Sequence, residues 1–324
     1  MGYGAELCYP YCRPSRLKTT AKPKGTGVTQ FLYLSTVLIW GTTWIAIHWQ
    51  LGDVPVLTSV FYRFALAATI MLFLVLLSGR LQPTSKQDHG FMVLQGMCMF
   101  SLNFVCFYTA GLSIASGLLS VIFSATTLFN ALNSRIFWGE KPTRSVFGAG
   151  ILGITGLSLM FWPELAAGSD KGVDLGSIGF AFLGAFFFSL GNMISVRHNK
   201  QGLKPFTSSA YAMIYGALFL ATLLIITGTP LAWDPRPQYI GSLFYLAIIG
   251  TVAGFTAYLS LIGRIGANKA AYATVMFPVV ALALSTVLEG YEWSISSVSG
   301  LVLVLLGNGI ILGIKLPFIT RVKT

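Results

Sequence analysis

Ten apolar segments, separated by short polar turns, recur along the chain. No other feature restricts its fold as tightly. Within a bilayer no water is available to satisfy backbone amides, so a crossing segment must bond within itself. An α-helix of about 20 residues does this over the full hydrocarbon thickness. The segments lie at 30–51, 56–78, 90–110, 114–138, 143–162, 175–197, 206–227, 238–262, 267–288 and 295–316. Breaker chemistry marks the joints: Gly52-Asp53-Val54-Pro55, Gly79-Arg80-Leu81-Gln82-Pro83, Gly139-Glu140-Lys141-Pro142, Gly228-Thr229-Pro230 and Asp234-Pro235-Arg236-Pro237. With 55% hydrophobic and 10% charged residues, the chain lacks the polar side chains to cover a soluble globule. An all-α integral membrane protein with ten transmembrane helices is expected.

The net charge of +11 would suggest a nucleic-acid partner in a soluble protein. Here it follows from topology. With the N-terminus inside, 18 of the 21 Lys and Arg fall on the cytoplasmic side, from the basic N-terminal tail to Lys315, Arg321 and Lys323. Only Lys171 and Arg236 fall outside, and Arg63 lies within a span. This is the loop asymmetry that orients helices in membranes. Both termini are therefore expected to be cytoplasmic, in a multi-pass protein of a bacterial inner (plasma) membrane. Its partners would be the lipid bilayer and a small-molecule substrate, with no nucleic acid, and the chain would act as a monomer or a homodimer. Residues 1–28 are a basic tail expected to be disordered, and 317–324 a short cytoplasmic tail. The four cysteines, Cys8, Cys12, Cys98 and Cys106, have neither the number nor the spacing of a disulfide framework or a zinc site. No metal and no cofactor is expected.

The second half echoes the first. Ser113-Ile114-Ala115 through Thr127 pairs with Arg264-Ile265-Gly266 through Pro278, and each copy then reaches a glutamate eight residues before a glycine, Glu140 to Gly148 and Glu292 to Gly300. Two repeats follow, at 29–163 and 174–316, with five helices each. Five is odd, so a tandem copy enters the membrane from the opposite side. Inverted repeats of this kind place a substrate near the midplane between the halves.

The residues also carry a family resemblance. Leu38-Ile39-Trp40-Gly41-Thr42-Thr43-Trp44, Tyr62-Arg63-Phe64-Ala65, and Phe107-Tyr108 followed by Ser113-Ile114-Ala115 resemble the drug/metabolite transporter superfamily. Trp138-Gly139-Glu140-Lys141-Pro142-Thr143, Gly250-Thr251-Val252-Ala253-Gly254, Tyr258 and Pro278 resemble its ten-helix EamA branch. The similarity covers about residues 30 to 314. It implies export of small metabolites, amino acids or toxic compounds. One departure stands out: Thr127 occupies the position where the family's first repeat usually has the proline matched here by Pro278, so the resemblance carries no helix break into the first half.

Ionisable groups at membrane depth are costly and usually functional or paired. Arg63 is the one strongly charged residue well inside a span. It could grip a substrate carboxylate or phosphate, or it could snorkel and tie down helix-end carbonyls. His48 is read as interfacial, and Asp53, Glu140, Glu289 and Glu292 fall at helix ends or in loops. Without a mid-span carboxylate, facilitated or weakly coupled transport by alternating access is expected, with a proton-coupled antiporter as the alternative.

Uncharged polar positions group on helix faces. The fourth segment carries Ser124, Thr127 and Asn130 on one stripe, the first Trp40, Thr43 and Trp44, and the third Asn103 and Tyr108. The second half offers Ser189, Asn192, Thr251, Tyr258, Tyr272 and Met276. Together with Arg63 these are the candidate lining of a cavity suited to amino acids or drug-like amphipathic solutes. Polar groups also bond helices to one another in lipid, which is the reading preferred for Asn133 and Asn308. Gly250-x3-Gly254 is read as close helix packing. A passive channel would share such a lining. An intramembrane enzyme would need catalytic groups at depth, and no catalytic residue is assigned.

Overall fold

The computed structural model describes residues 26–79, 81–139, 144–166, 175–265, 270 and 272–311. All regular structure among the described residues is helical. The helices are α1 (Thr26–His48), α2 (Val56–Ser78), α3 (Lys86–Gly111), α4 (Ser116–Trp138), α5 (Arg144–Ala166), α6 (Leu175–Lys200), α7 (Pro205–Thr227), α8 (Pro237–Ile265), α9 (Tyr272–Leu288) and α10 (Ile295–Ile311). Eight of them, α1 to α8, are long and apolar enough to cross a membrane, while α9 and α10 each contribute 17 described residues.

Local chemistry sets the boundaries. α3 begins at Lys86, ahead of the expected 90, because Ser85 and Asp88 form a reciprocal capping box that satisfies two N-terminal amides. α2 ends where Gly79 takes a left-handed conformation (φ 58°) that a side chain would resist. α7 and α8 each open with proline in the first turn, where the missing N–H leaves no intrahelical bond unmade.

Three helices are irregular at depth. α3 contains a π-helical stretch at Cys98–Leu102, and α8 contains a second at Leu246–Ala253. Widening the helix frees carbonyls, and side chains meet them. Ser101 Oγ shares its one hydrogen between Gly96 O, on α3 itself, and Gly216 O, on the neighbouring α7, each at 3.0 Å, and Trp40 Nε1 donates to Gly250 O at 3.3 Å. In α4 the helix is broken by a turn at Ser124–Ala125, although this half lacks the proline. Serine supplies the break instead: Ser120 and Ser124 return their hydroxyls to the carbonyls three residues back, at Gly117 and Val121. α9 runs through Pro278 without interruption.

Helix packing follows one scheme in both halves. α1 packs on α8 and α9, as α6 packs on α3 and α4; α3 packs on α7, as α8 packs on α2. The remaining major pairs, α2 with α7, α4 with α9 and α5 with α10, join equivalent helices. Exchange of the halves leaves this contact pattern unchanged. The α5–α10 pair approaches closely, since a Cβ placed on Gly156 would lie 2.6 Å from Gly300 O. Polarity is arranged for lipid: Ile225 and Leu76 are 82% and 70% exposed, whereas Arg63 is 2% exposed.

Candidate functional site

A partly open cavity, whose non-atom space together with its mouth comes to about 430 Å³, lies between helices of both halves. Its polar wall is Thr43 on α1, Arg63 on α2 and Asn103 on α3; its apolar wall includes Trp40, Trp44, Phe107, Phe123, Phe188, Phe255 and Phe277. The aromatic rings hold one another. Trp40 meets Tyr258 at 4.7 Å and Phe255 at 5.2 Å, while Trp44 stacks on Phe277 at 6.2 Å and meets Phe107 edge-on at 5.3 Å. Such edge-to-face pairs lock rings in place.

α8 closes on this wall through two of its glycines, Gly250 and Gly254. A Cβ at Gly250 would fall 2.8 Å from Thr43 Cγ2, and one at Gly254 would fall 2.7 Å from Trp40 Nε1. The Gly250-x3-Gly254 pair therefore admits α1 to close contact, at the site itself.

Arg63 is held without a carboxylate. Its Nε donates to Thr251 Oγ1 at 3.1 Å and Nη1 to Tyr108 Oη at 3.4 Å. Tyr108 in turn donates to Gln50 Oε1 at 2.6 Å. The guanidinium lies 4.3 Å from the centre of the Phe104 ring and 5.4 Å from that of Phe64. No described acidic group lies within ion-pair distance of it. The snorkelling geometry considered for Arg63 is not adopted. Asn103 is 1% exposed, and neither its Oδ1 nor its Nδ2 has a hydrogen-bond partner among the described residues. A buried amide is rarely left so unpaired without a reason.

The expected site residues separate into groups. Trp40, Thr43, Trp44, Arg63 and Asn103 line the cavity. Tyr108, Thr251 and Tyr258 stand directly behind it, the first two on Arg63 and the third on Trp40. The polar stripe of α4 faces elsewhere. Ser124 accepts from Asn308 Nδ2 at 3.0 Å and borders a second space of about 380 Å³ against α5, α6 and α10. Ser189 accepts from Asn133 at 2.9 Å, and Asn130 from Asn192 at 3.4 Å. Thr127 is buried with its hydroxyl unpaired. Met276 is 46% exposed on the outer surface of the bundle, and the side chain of Tyr272 lies outside the described residues. Most of the aromatic wall carried no sequence signal beyond its apolarity.

A second polar cluster sits where α1, α4 and α9 end or begin. Glu289, whose side chain is 6% exposed, takes hydrogen bonds from the Ser116 amide at 3.2 Å and from the hydroxyls of Ser116 and Ser285, and it pairs with His48 Nδ1 at 3.0 Å. Burial pushes its carboxyl up, but these bonds outweigh burial and hold it below the ordinary carboxylate value. The sequence places Glu289 at a helix end without indicating that it is buried.

Residues 28–162 and 175–313 each match the EamA-like transporter family. A probable amino-acid metabolite efflux pump of Salmonella typhimurium is 25% identical over 286 residues, covering 86% of this chain and 92% of that protein. An uncharacterised transporter of Archaeoglobus fulgidus is 25% identical over 84% of this chain and 94% of its own length. The uncharacterised inner membrane transporter YedA of Escherichia coli K12 is 26% identical over 78% of this chain and 80% of its own. A solved crystal structure covers 87% of this chain and 95% of its own at a TM-score of 0.61 and 17% identity, a likeness of fold alone. A core cavity, a lipid-facing apolar surface and a family match over both halves agree: this chain is a multi-pass membrane transport protein, not an enzyme, and belongs to the EamA-like transporter family.

Proposed function

We propose that the chain is a secondary carrier that exports small amphipathic metabolites, amino acids among them, across a bacterial inner membrane by alternating access. Its ten helices cross as two inverted five-helix repeats, 29–163 and 174–316, with both termini cytoplasmic. The observation that carries this reading is the cavity: it joins a fixed cation, an unpaired amide and a ring of aromatic side chains in one space between the halves. The exchange symmetry of the helix contacts supports an inverted repeat, because two equivalent halves around one site can open in turn to either face. Transport is facilitated or weakly coupled, since no carboxylate lies on the cavity wall among the described residues.

Counterflow in proteoliposomes against amino acids, nucleosides and dyes tests it. Saturable exchange that Trp40→Ala and Asn103→Ala both reduce is expected; normal exchange in both variants would remove the cavity assignment. A proton-coupled antiporter is the second reading, and the pair of Glu289 with the half-exposed His48 is what favours it. An inward proton gradient driving uphill export, lost in Glu289→Gln, would establish coupling. Gradient-independent exchange supports the facilitated reading.

A further inference from the structure

We infer that the cavity selects organic monoanions: carboxylates with an aromatic or bulky apolar body, preferred over zwitterions and cations of the same shape. The inference rests on the cavity being the transport site.

The wall is electrically unbalanced. Arg63 brings a full positive charge into a space with almost no exposure, and its partners, Thr251, Tyr108 and the ring faces of Phe104 and Phe64, are all neutral. A buried cation without an anion is costly, and guanidinium is the group whose fork matches a carboxylate in two parallel hydrogen bonds. Its bonds to Thr251 and Tyr108 use Nε and Nη1. The remaining N–H groups have no hydrogen-bond partner among the described residues. Thr251 and Tyr108, the latter anchored on Gln50, position the guanidinium so that it cannot swing out to the interface.

The charge limit is one. No second cation lines the cavity among the described residues, so a dianion would carry an excess charge into a low-dielectric space. Among the described residues no acidic side chain lines it either, so the ammonium of a zwitterion would meet Asn103 Oδ1, the Thr43 hydroxyl and ring faces but no anion. Asn103, with both amide atoms free, fits a neutral polar group such as a keto or hydroxyl oxygen. The aromatic wall takes the rest.

Three probes of one shape separate the charges: 3-phenylpropanoate, phenylalanine and 2-phenylethylamine, compared in counterflow by the full chain in proteoliposomes. Labelled 3-phenylpropanoate is expected to exchange saturably, with phenylalanine competing on the order of tenfold less well and the amine not at all. Arg63→Gln should level the three, and Arg63→Lys should keep their order. Competition by phenylalanine or the amine as strong as by the anion, or an anion preference that survives Arg63→Gln, would overturn the inference. If Arg63→Gln does not fold, Thr251→Val carries the test: it removes the acceptor that positions Nε, so anion affinity must fall relative to that for phenylalanine, and an unchanged ratio is the overturning result. The two levels fail differently. Trp40-dependent exchange of neutral solutes without the anion leaves the carrier reading intact and removes the selectivity; no saturable exchange of any solute removes both.

Discussion

Asn103 has both ends of its amide unpaired in the interior of a membrane protein, a state that costs about 1–3 kcal/mol unless something transient completes it. Function and stability should therefore pull apart at this position. Asn103→Leu, similar in volume, is expected to raise the thermal midpoint of the detergent-solubilised protein while lowering exchange; a lower midpoint would mean that the amide is satisfied in the resting protein. Arg63 and Asn103 were legible in the sequence because a charge or an amide in an apolar segment is conspicuous. Phe123, Phe188 and Phe277 were not. In lipid both faces of a helix are apolar, so these cavity rings have the same sequence surroundings as Phe31 or Phe137, which are 68% and 54% exposed. Ser124 and Ser189 illustrate the converse: a polar stripe marks a helix-facing side, but hydrogen bonds between helices and a solute cavity draw on the same residues.

Helix ends were legible where Gly and Pro act locally, as at Gly79, whereas the start of α3 lies four residues ahead of the expected 90 because the Ser85–Asp88 capping box carries no apolar signal. The irregular interiors of α3, α4 and α8 were hidden, since a π-turn needs no breaker residue, only side chains placed to meet carbonyls of the irregular helix, as Ser101 meets Gly96 O and Trp40 meets Gly250 O. The α5–α10 pair gives an element-scale test. Neither helix lines the larger cavity, and their backbones nearly touch at Gly156 and Gly300. Gly156→Val should overpack this contact and lower stability by about 1–3 kcal/mol, with exchange per folded molecule unchanged. The junction of α1, α4 and α9 depends on Glu289 being ionised. Because its pKa is depressed on folding, its contribution is complete above the unfolded value near 4.5 and is lost as pH falls through the lower folded value. Thermal midpoints should hold steady at neutral pH and drop on acidification below that value, with a shallower drop in Glu289→Gln.

For the whole molecule, two features of the sequence lead to the architecture proposed above: alternation of basic loops, and an echo between two halves of five segments each. The second has its counterpart in contacts that survive exchange of the halves. What neither could supply is the position of the cavity, which depends on how α1 and α8 close on each other at Gly250 and Gly254. The central claim is that this one space is reached from each side of the membrane in turn. Thr43 lies on its wall, so Thr43→Cys in a chain with Cys8, Cys12, Cys98 and Cys106 replaced by serine can report it directly. With a membrane-impermeant thiol reagent applied to either face of oriented vesicles, the cysteine is expected to react from both sides and to be protected on both by a transported solute. Reaction from one side only, or reaction that no transported solute slows, would contradict a carrier built around this cavity.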